Sequence, residues 1–269
     1  MMGLSLSYDL SIMKLTFIGT GAADWDWLNL SPGTRGSTAT LIGKSCLIDA
    51  GPTVIHSLGR AGVKLSEISH VVLTHSHSDH FQPATMAAIA EARKGRLTVW
   101  AASQAFSMME GIKCVRKEIV AGAQFKCGHF AFTALPSNHQ TSFPEEQTLN
   151  YLVESGGKTL LYALDGAWML AKAKSLITKA LAGRTLDAVV WDATCGATLN
   201  DWRFAEHNDL AMIHAMRESM LCAKIISPDT RHVFDHLART LWPADASARA
   251  AIAAQYGGTI AEDGAAMRL

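Results

Sequence analysis

Apolar residues fall into short, β-branched runs broken by glycine: KLTFIGTG (14–21), STATLIG (37–43), SCLIDAGP (45–52), HVVLTH (70–75) and LTVWA (97–101). Such runs predict strands. Between them, residues 53–61 and 83–93 carry apolar side chains at helical spacing, each just after a proline. The second half repeats the alternation, with HFAFTAL (129–135), LNYLVE (149–154), TLLYALD (159–165), DAVVWDAT (187–194), KIIS (224–227) and RHVFDH (231–236) as strands. Helical stretches are expected at 167–182, 207–222 and 244–256, and a closing hairpin over 258–269 with its turn at Asp263 and Gly264. Consecutive short strands with helices interspersed in both halves predict an α/β fold, two sheets face to face with helices outside.

The chain has 269 residues, 49% of them hydrophobic and 18% charged, enough for one large core. Its 24 basic and 24 acidic side chains balance, which argues against nucleic acid as a partner held by bulk charge. Five widely spaced cysteines without a C-x-x-C pair make neither a disulfide framework nor a cysteine zinc cluster, and fit a reducing cytoplasm. No apolar run reaches the roughly 18 residues that span a bilayer, and the opening segment lacks the features of a signal peptide. A soluble cytoplasmic protein without a membrane partner is expected. Regular structure is expected from Lys14, so residues 1–13 read as a dispensable extension, with Met13 an alternative start, and 14–269 as one domain.

The segment VVLTHSHSDH, residues 71–80, runs an apolar strand into His75, His77, Asp79 and His80. Alternate residues of an extended segment share a side, so His75 and His77 can face one ion while Asp79 and His80 face a neighbour. Imidazole and carboxylate suit zinc first, with manganese or iron as alternatives, and an open all-protein site is catalytic rather than structural.

HSHSDH resembles the signature of the metallo-β-lactamase superfamily, whose αββα sandwich holds one or two metal ions. KLTFIGTGAA, SCLIDAGP, His139 in LPSNHQ, Asp165 in LLYALDG and DHLARTLWP follow in the order that family requires, so the resemblance spans residues 14–269. It implies a four-layer αββα sandwich of two mixed sheets. It further implies that His75, His77 and His139 hold a first ion, that Asp79, His80 and His236 hold a second, and that Asp165 bridges them. His232 competes with His236; a strand that delivers its final residue to the site favours His236. Asp49 is implied to support the ligand loop through hydrogen bonds.

Two such ions lower the pKa of a bridging water and clamp the oxygens of an attacked phosphate or carbonyl, so the expected activity is hydrolysis by a metal-bridging hydroxide. No G-x-S-x-G elbow, P-loop or dinucleotide fingerprint competes. Asp79 and His207 are the candidate catalytic side chains, His207 together with Asn208 opening a helix next to the ions. The run Glu206-His207-Asn208-Asp209 is similar to the phosphodiesterase branch that includes the cyclic-phosphate hydrolase of phosphonate breakdown. That branch often carries a cysteine-rich zinc site near the N-terminus, and residues 22–36 contain no cysteine. Trp25, Trp27 and Trp202 either stack a base or sugar or close a homodimer interface, and Arg35 is a candidate partner for phosphate. The leading expectation is a small or cyclic phosphodiester substrate. An RNA 3′-processing endonuclease, a lactone or other ester hydrolase, and an iron-dependent sulfur dioxygenase are the alternatives.

Overall fold

The computed structural model describes residues 12–269. The first sheet contains β1 (Lys14–Gly19), β2 (Ala39–Ile42), β3 (Cys46–Ile48), β4 (His70–Val72), β5 (Thr98–Ala101), β6 (Val115–Glu118) and β14 (Ala266–Arg268), in the order β14-β1-β2-β3-β4-β5-β6. The second contains β7 (Gln124–Cys127), β8 (Phe130–Pro136), β9 (Leu149–Ser155), β10 (Lys158–Ala163), β11 (Ala188–Asp192), β12 (Arg231–Asp235) and β13 (Thr259–Ile260), in the order β13-β12-β11-β10-β9-β8-β7. Both sheets are mixed: β3 to β6 run parallel in the first and β10 to β13 in the second, while the other neighbours are antiparallel.

Side chains of successive strand residues point to opposite faces, and here both faces are covered, so the strands read as continuous apolar runs. Leu15, Phe17, Leu160, Tyr162, Val190 and Val233 fill the layer between the sheets. Ile18, Leu41, Leu47, Val71 and Val99 face outward against α1 (Val54–Arg60), α2 (Pro83–Ala92) and α3 (Ser103–Ser107). Leu161, Val189, Trp191 and Phe234 face α4 (Ala171–Leu181), α5 (Leu210–Cys222) and α6 (Ala246–Gln255). Three apolar layers between four layers of structure make the expected αββα sandwich.

The structure departs from the sequence reading at identifiable places. KIIS is no strand: Lys224 takes a left-handed φ of 54°, and Ile225 and Ile226 pack beneath α5 instead. The closing hairpin is absent, because the turn at Asp263 and Gly264 carries the chain between sheets; β13 pairs with β12 and β14 with β1. Strands β6 and β7 went unread because they lie at sheet edges and carry exposed polar residues. Met13 is fully buried between the sheets and its carbonyl accepts from Leu269 N, so the packed unit includes it. The rest of the expected extension, apart from Ile12, lies outside the described residues.

Candidate metal centre

The carboxyl ends of β4, β10, β11 and β12 open on one edge of the sandwich, where α/β sheets characteristically bind ligands. His75 follows β4 by three residues, Asp165 follows β10 by two, Asp192 ends β11 and His236 comes directly after β12. Asp49, Asp165 and His236 sit at left-handed φ values of 62°, 50° and 58°. Non-glycine residues adopt that backbone at a cost of order 1–3 kcal/mol, typically where a site over-determines it.

Three groups of four donors result, all sharing Asp165: His75, His77, His139 and Asp165; Asp79, His80, His236 and Asp165; and Asp165, Asp192, His207 and His236. In the third, Asp192 is already engaged by His207 Nδ1 and Thr194, so the first two are the candidate ion sites. In the first, His77 Nδ1 lies 3.0 Å from both His75 Nε2 and His139 Nε2, and Asp165 Oδ2 is 3.6 and 3.7 Å from those two nitrogens. In the second, His80 Nε2 is 3.3 Å from Asp79 Oδ2, 3.2 Å from His236 Nε2 and 3.2 Å from Asp165 Oδ2. His236 Nε2 is 3.5 Å from Asp79 Oδ2 and 3.2 Å from Asp165 Oδ1. A tetrahedral centre with metal–nitrogen bonds of about 2.0–2.1 Å separates its donors by about 3.3–3.4 Å, and the separations here, from 3.0 to 3.7 Å, bracket that value.

The tautomers agree. Thr74 Oγ1 donates to Asp49 Oδ2 at 2.8 Å, so it must accept from His75 Nδ1 at 2.9 Å. His80 Nδ1 donates directly to Asp49 Oδ2 at 2.9 Å, and His139 Nδ1 to the Glu206 carbonyl at 3.3 Å. Each of these rings therefore turns an unprotonated Nε2 inward. His75 and His139 present two lone pairs to the one Nδ1 of His77, and Asp165 Oδ1 is buried without a hydrogen-bond partner. Facing lone pairs and an orphaned carboxylate oxygen are what a divalent cation satisfies, so the donor set fits a metal. Burial works to protonate Asp79 and Asp165; when His80 and His236 take up a second proton at Nε2, their charge outweighs it and holds both carboxyls well below the usual range, a role a cation on the same donors would take over.

The cluster floors a cleft of about 410 Å³ that is also lined by Ala22, Ala23, Asp24, Thr194, Trp202, Arg203, Ala205, Glu206 and His207. His207 does not open a helix as expected; Asp209 caps α5, and His207 precedes it in the loop. Its Nδ1 lies 2.8 Å from Asp192 Oδ2, and its ring stacks 5.4 Å from that of His236. Burial works against a charged His207, but the charge and hydrogen bond of Asp192 outweigh it and lift its pKa to about 9.

Other expected substrate contacts lie elsewhere. Arg35 is buried and spends its guanidinium on Thr20 Oγ1, the Ala261 carbonyl and Glu262, bracing the C-terminal turn. Trp25 Nε1 donates to the Leu237 carbonyl and Trp27 Nε1 to that of Arg35, so both indoles are tied to the backbone, and neither lines the cleft. Asn208 is buried and clamps the turn after Asp165, accepting from Trp168 N and donating to the Gly166 carbonyl. Trp202 does reach the cleft. Sequence reasoning assigned no role to Thr74, Thr194, Glu206 and Arg203; Thr74, next to a candidate ligand, and Glu206, next to His207, offered a signal.

No curated protein matches the chain in sequence. Among solved structures, the metallo-beta-lactamase fold protein YhfI from Bacillus subtilis is 16% identical, with a TM-score of 0.72 over 96% of this chain and 99% of that one. Zn²⁺-bound PqqB from Methylobacterium extorquens is 19% identical, with a TM-score of 0.69 over 96% and 100%. A diphosphatase from the PhnP family is 16% identical, with a TM-score of 0.66 over 96% and 97%. Residues 45–223, which include the ligand loop and His207, match the model of the beta-lactamase superfamily domain. The chain therefore belongs to the metallo-β-lactamase superfamily, a superfamily of metal-dependent hydrolases.

Proposed function

We propose that the protein is a two-metal phosphodiesterase that cleaves a small or cyclic phosphodiester, with zinc as its metal. The observation that carries this reading is the His207–Asp192 pair beside the donor cluster. Asp192 holds Nδ1 of His207, and Nε2 has no protein partner among the described residues, at the edge of a cleft floored by metal donors. His75, His77 and His139 would hold one ion, Asp79, His80 and His236 the other, and Asp165 both; nitrogen and oxygen donors in fours suit zinc. When bound, such a pair acidifies water and offsets charge on phosphoryl oxygens.

The chain's own residues do the rest. Asp49 orients His75 through Thr74 and His80 directly. His207 delivers a proton from Nε2 to the departing alkoxide oxygen, and Asp192 keeps the ring aimed and steadies its charge. A fold shared with a PhnP-family diphosphatase supports this reading. The five cysteines form no disulfide and fit a reducing cytoplasm, and among the described residues no helix is long and apolar enough to cross a membrane.

Metal analysis of the purified protein, paired with chromogenic phosphodiesters, phosphomonoesters and lactones, tests the assignment. Two zinc ions per chain and the highest kcat/KM on diesters are expected. A higher kcat/KM on a lactone or a monoester overturns it.

A further inference from the structure

The mouth of the cleft is built differently from its floor. Trp202 lines it and leaves 80% of its surface in water, on a loop leading from β11 to α5. Phe204 and Leu199 on the same loop are also exposed, at 59% and 58%, and exposed apolar surface gathered in one place marks a binding site where a single bare side chain does not. The indole is nevertheless held. Residues Trp202–Ala205 form a short 3₁₀ turn, and the Asp201 carboxylate at its start accepts from Arg203 N at 3.0 Å. The same carboxylate grips the Arg203 guanidinium, with Nε at 2.7 Å and Nη2 at 3.1 Å, and Arg203 Cζ lies 5.4 Å from the Trp202 ring centre. Arg203 thus backs one face of the indole and leaves the other free, a preorganised stacking platform.

Charge around the mouth narrows the choice of ligand. Asp24 and Glu206 stand there with two cationic side chains, Arg203, already paired with Asp201, and His207, which the proposed reaction commits to the phosphodiester; the Asp24 carboxylate is held by the Arg239 and Thr240 amides. A second anionic group gains nothing from such a rim, and a nucleic-acid strand, which needs a run of cations, gains less. A flat, uncharged ring stacks on indole whatever the local charge, and about 410 Å³ is in the range of a small-molecule site.

We infer that the substrate carries a planar heteroaromatic ring next to its phosphodiester, as a nucleoside ester does, and that Trp202 selects it by stacking. The inference rests on the phosphodiester reading above. Trp202 acts on affinity, and the donor cluster and His207 act on the rate.

The test uses metal-loaded protein and two probes, adenosine 5′-monophosphate and ribose 5-phosphate, which share the sugar phosphate and differ in the base. Calorimetry should give the nucleotide a Kd lower by roughly tenfold or more. Trp202→Ala should erase most of that difference, Trp202→Phe should keep it, and both variants should retain full metal content. Turnover of methyl p-nitrophenyl phosphate is followed alongside. If the wild-type protein cleaves that ester yet binds both probes equally, or if Trp202→Ala keeps the preference whatever its oligomeric state, stacking is refuted and the phosphodiester reading stands. Failure to cleave any diester overturns the reading and this inference with it.

Discussion

Thr194 Oγ1 lies 2.7 Å from Nδ1 of His236 and fixes which nitrogen of that ring carries the proton. The hydroxyl donates its one hydrogen to Asp192 Oδ1 at 2.6 Å, so Nδ1 of His236 must be the donor and Nε2 turns a lone pair toward Asp79 and Asp165. Thr74 stands in the same relation to Asp49 and His75. In each half of the sandwich a buried aspartate orders one histidine through a threonine and a second one directly: His75 and His80 from Asp49, His236 and His207 from Asp192. Three of these four histidines are candidate ligands. The fourth, His207, faces the cleft instead.

Thr194→Val should therefore weaken metal binding without touching a ligand. The valine keeps the shape, leaves His236 Nδ1 without an acceptor and lets the ring adopt the wrong tautomer. A loss of roughly 10–100-fold in affinity is expected, with Thr194→Ser close to wild type, measured by competition with a chromogenic chelator. Equal affinities for valine and serine variants would show that the relay does nothing for the metal.

Asp165 is the one donor common to both candidate ion sites, so Asp165→Asn should release at least one ion. Asparagine tolerates the left-handed backbone at this position, where φ is 50°, and keeps the volume, which separates metal loss from misfolding. Elemental analysis alongside a thermal melt reads both. Retention of two ions and full activity would remove Asp165 from the centre.

Most of this centre was legible because its donors are short-range. His75, His77, Asp79 and His80 lie within six residues, and the remaining histidines and Asp165 end or follow apolar strands. Of the supporting residues only Asp49 was legible, and of those lining the cleft around the donors only His207 and Trp202. Asp192 and Thr194 gain their meaning only when β11 comes to lie next to β12. Arg35 read as a candidate partner for phosphate, because nothing local shows that Glu262, 227 residues later in the chain, takes its guanidinium. Aspartate followed by glycine marked a turn correctly at Asp263, but nothing local says that the two strands it joins enter different sheets.

His232 tests both the ligand assignment and acid stability. It lies four residues before His236, is buried away from the cluster, and its Nδ1 accepts from Trp191 Nε1 at 3.0 Å. Burial first, and the charge of Arg217 second, push its pKa down to about 4, against about 6.5 in an unfolded chain. Between those values the unfolded chain takes up a proton that the folded protein refuses, so this contribution to stability is complete above pH 6.5 and is lost as pH falls toward 4. His232→Asn keeps the acceptor and cannot be protonated. Its melting temperature should fall less steeply than the wild type's from pH 6.5 to 4, and its metal content should be unchanged, whereas His236→Ala should lose metal. The reverse pattern would move the ligand by four residues.

His207→Ala is the sharpest probe of the proposed reaction, because the residue lies outside the seven donors proposed to hold the two ions, holds its Nδ1 on Asp192 and borders the cleft. Its Nδ1 is occupied by Asp192, so Nε2 is the nitrogen that a leaving oxygen can meet. If that nitrogen supplies the proton, hydrolysis of an alkyl diester should slow by roughly 10²–10⁴ while metal content and melting temperature hold. For p-nitrophenyl esters, whose leaving group departs as an anion, the loss should be much smaller. Asp192→Asn should also slow the reaction, since His207 Nδ1 loses its acceptor, but unlike His207→Ala it should loosen the metal as well, because Asp192 orders His236 through Thr194. An equal loss on good and poor leaving groups would reassign His207 to holding a phosphate oxygen, and no loss at all would leave it as a member of the loop that caps α5.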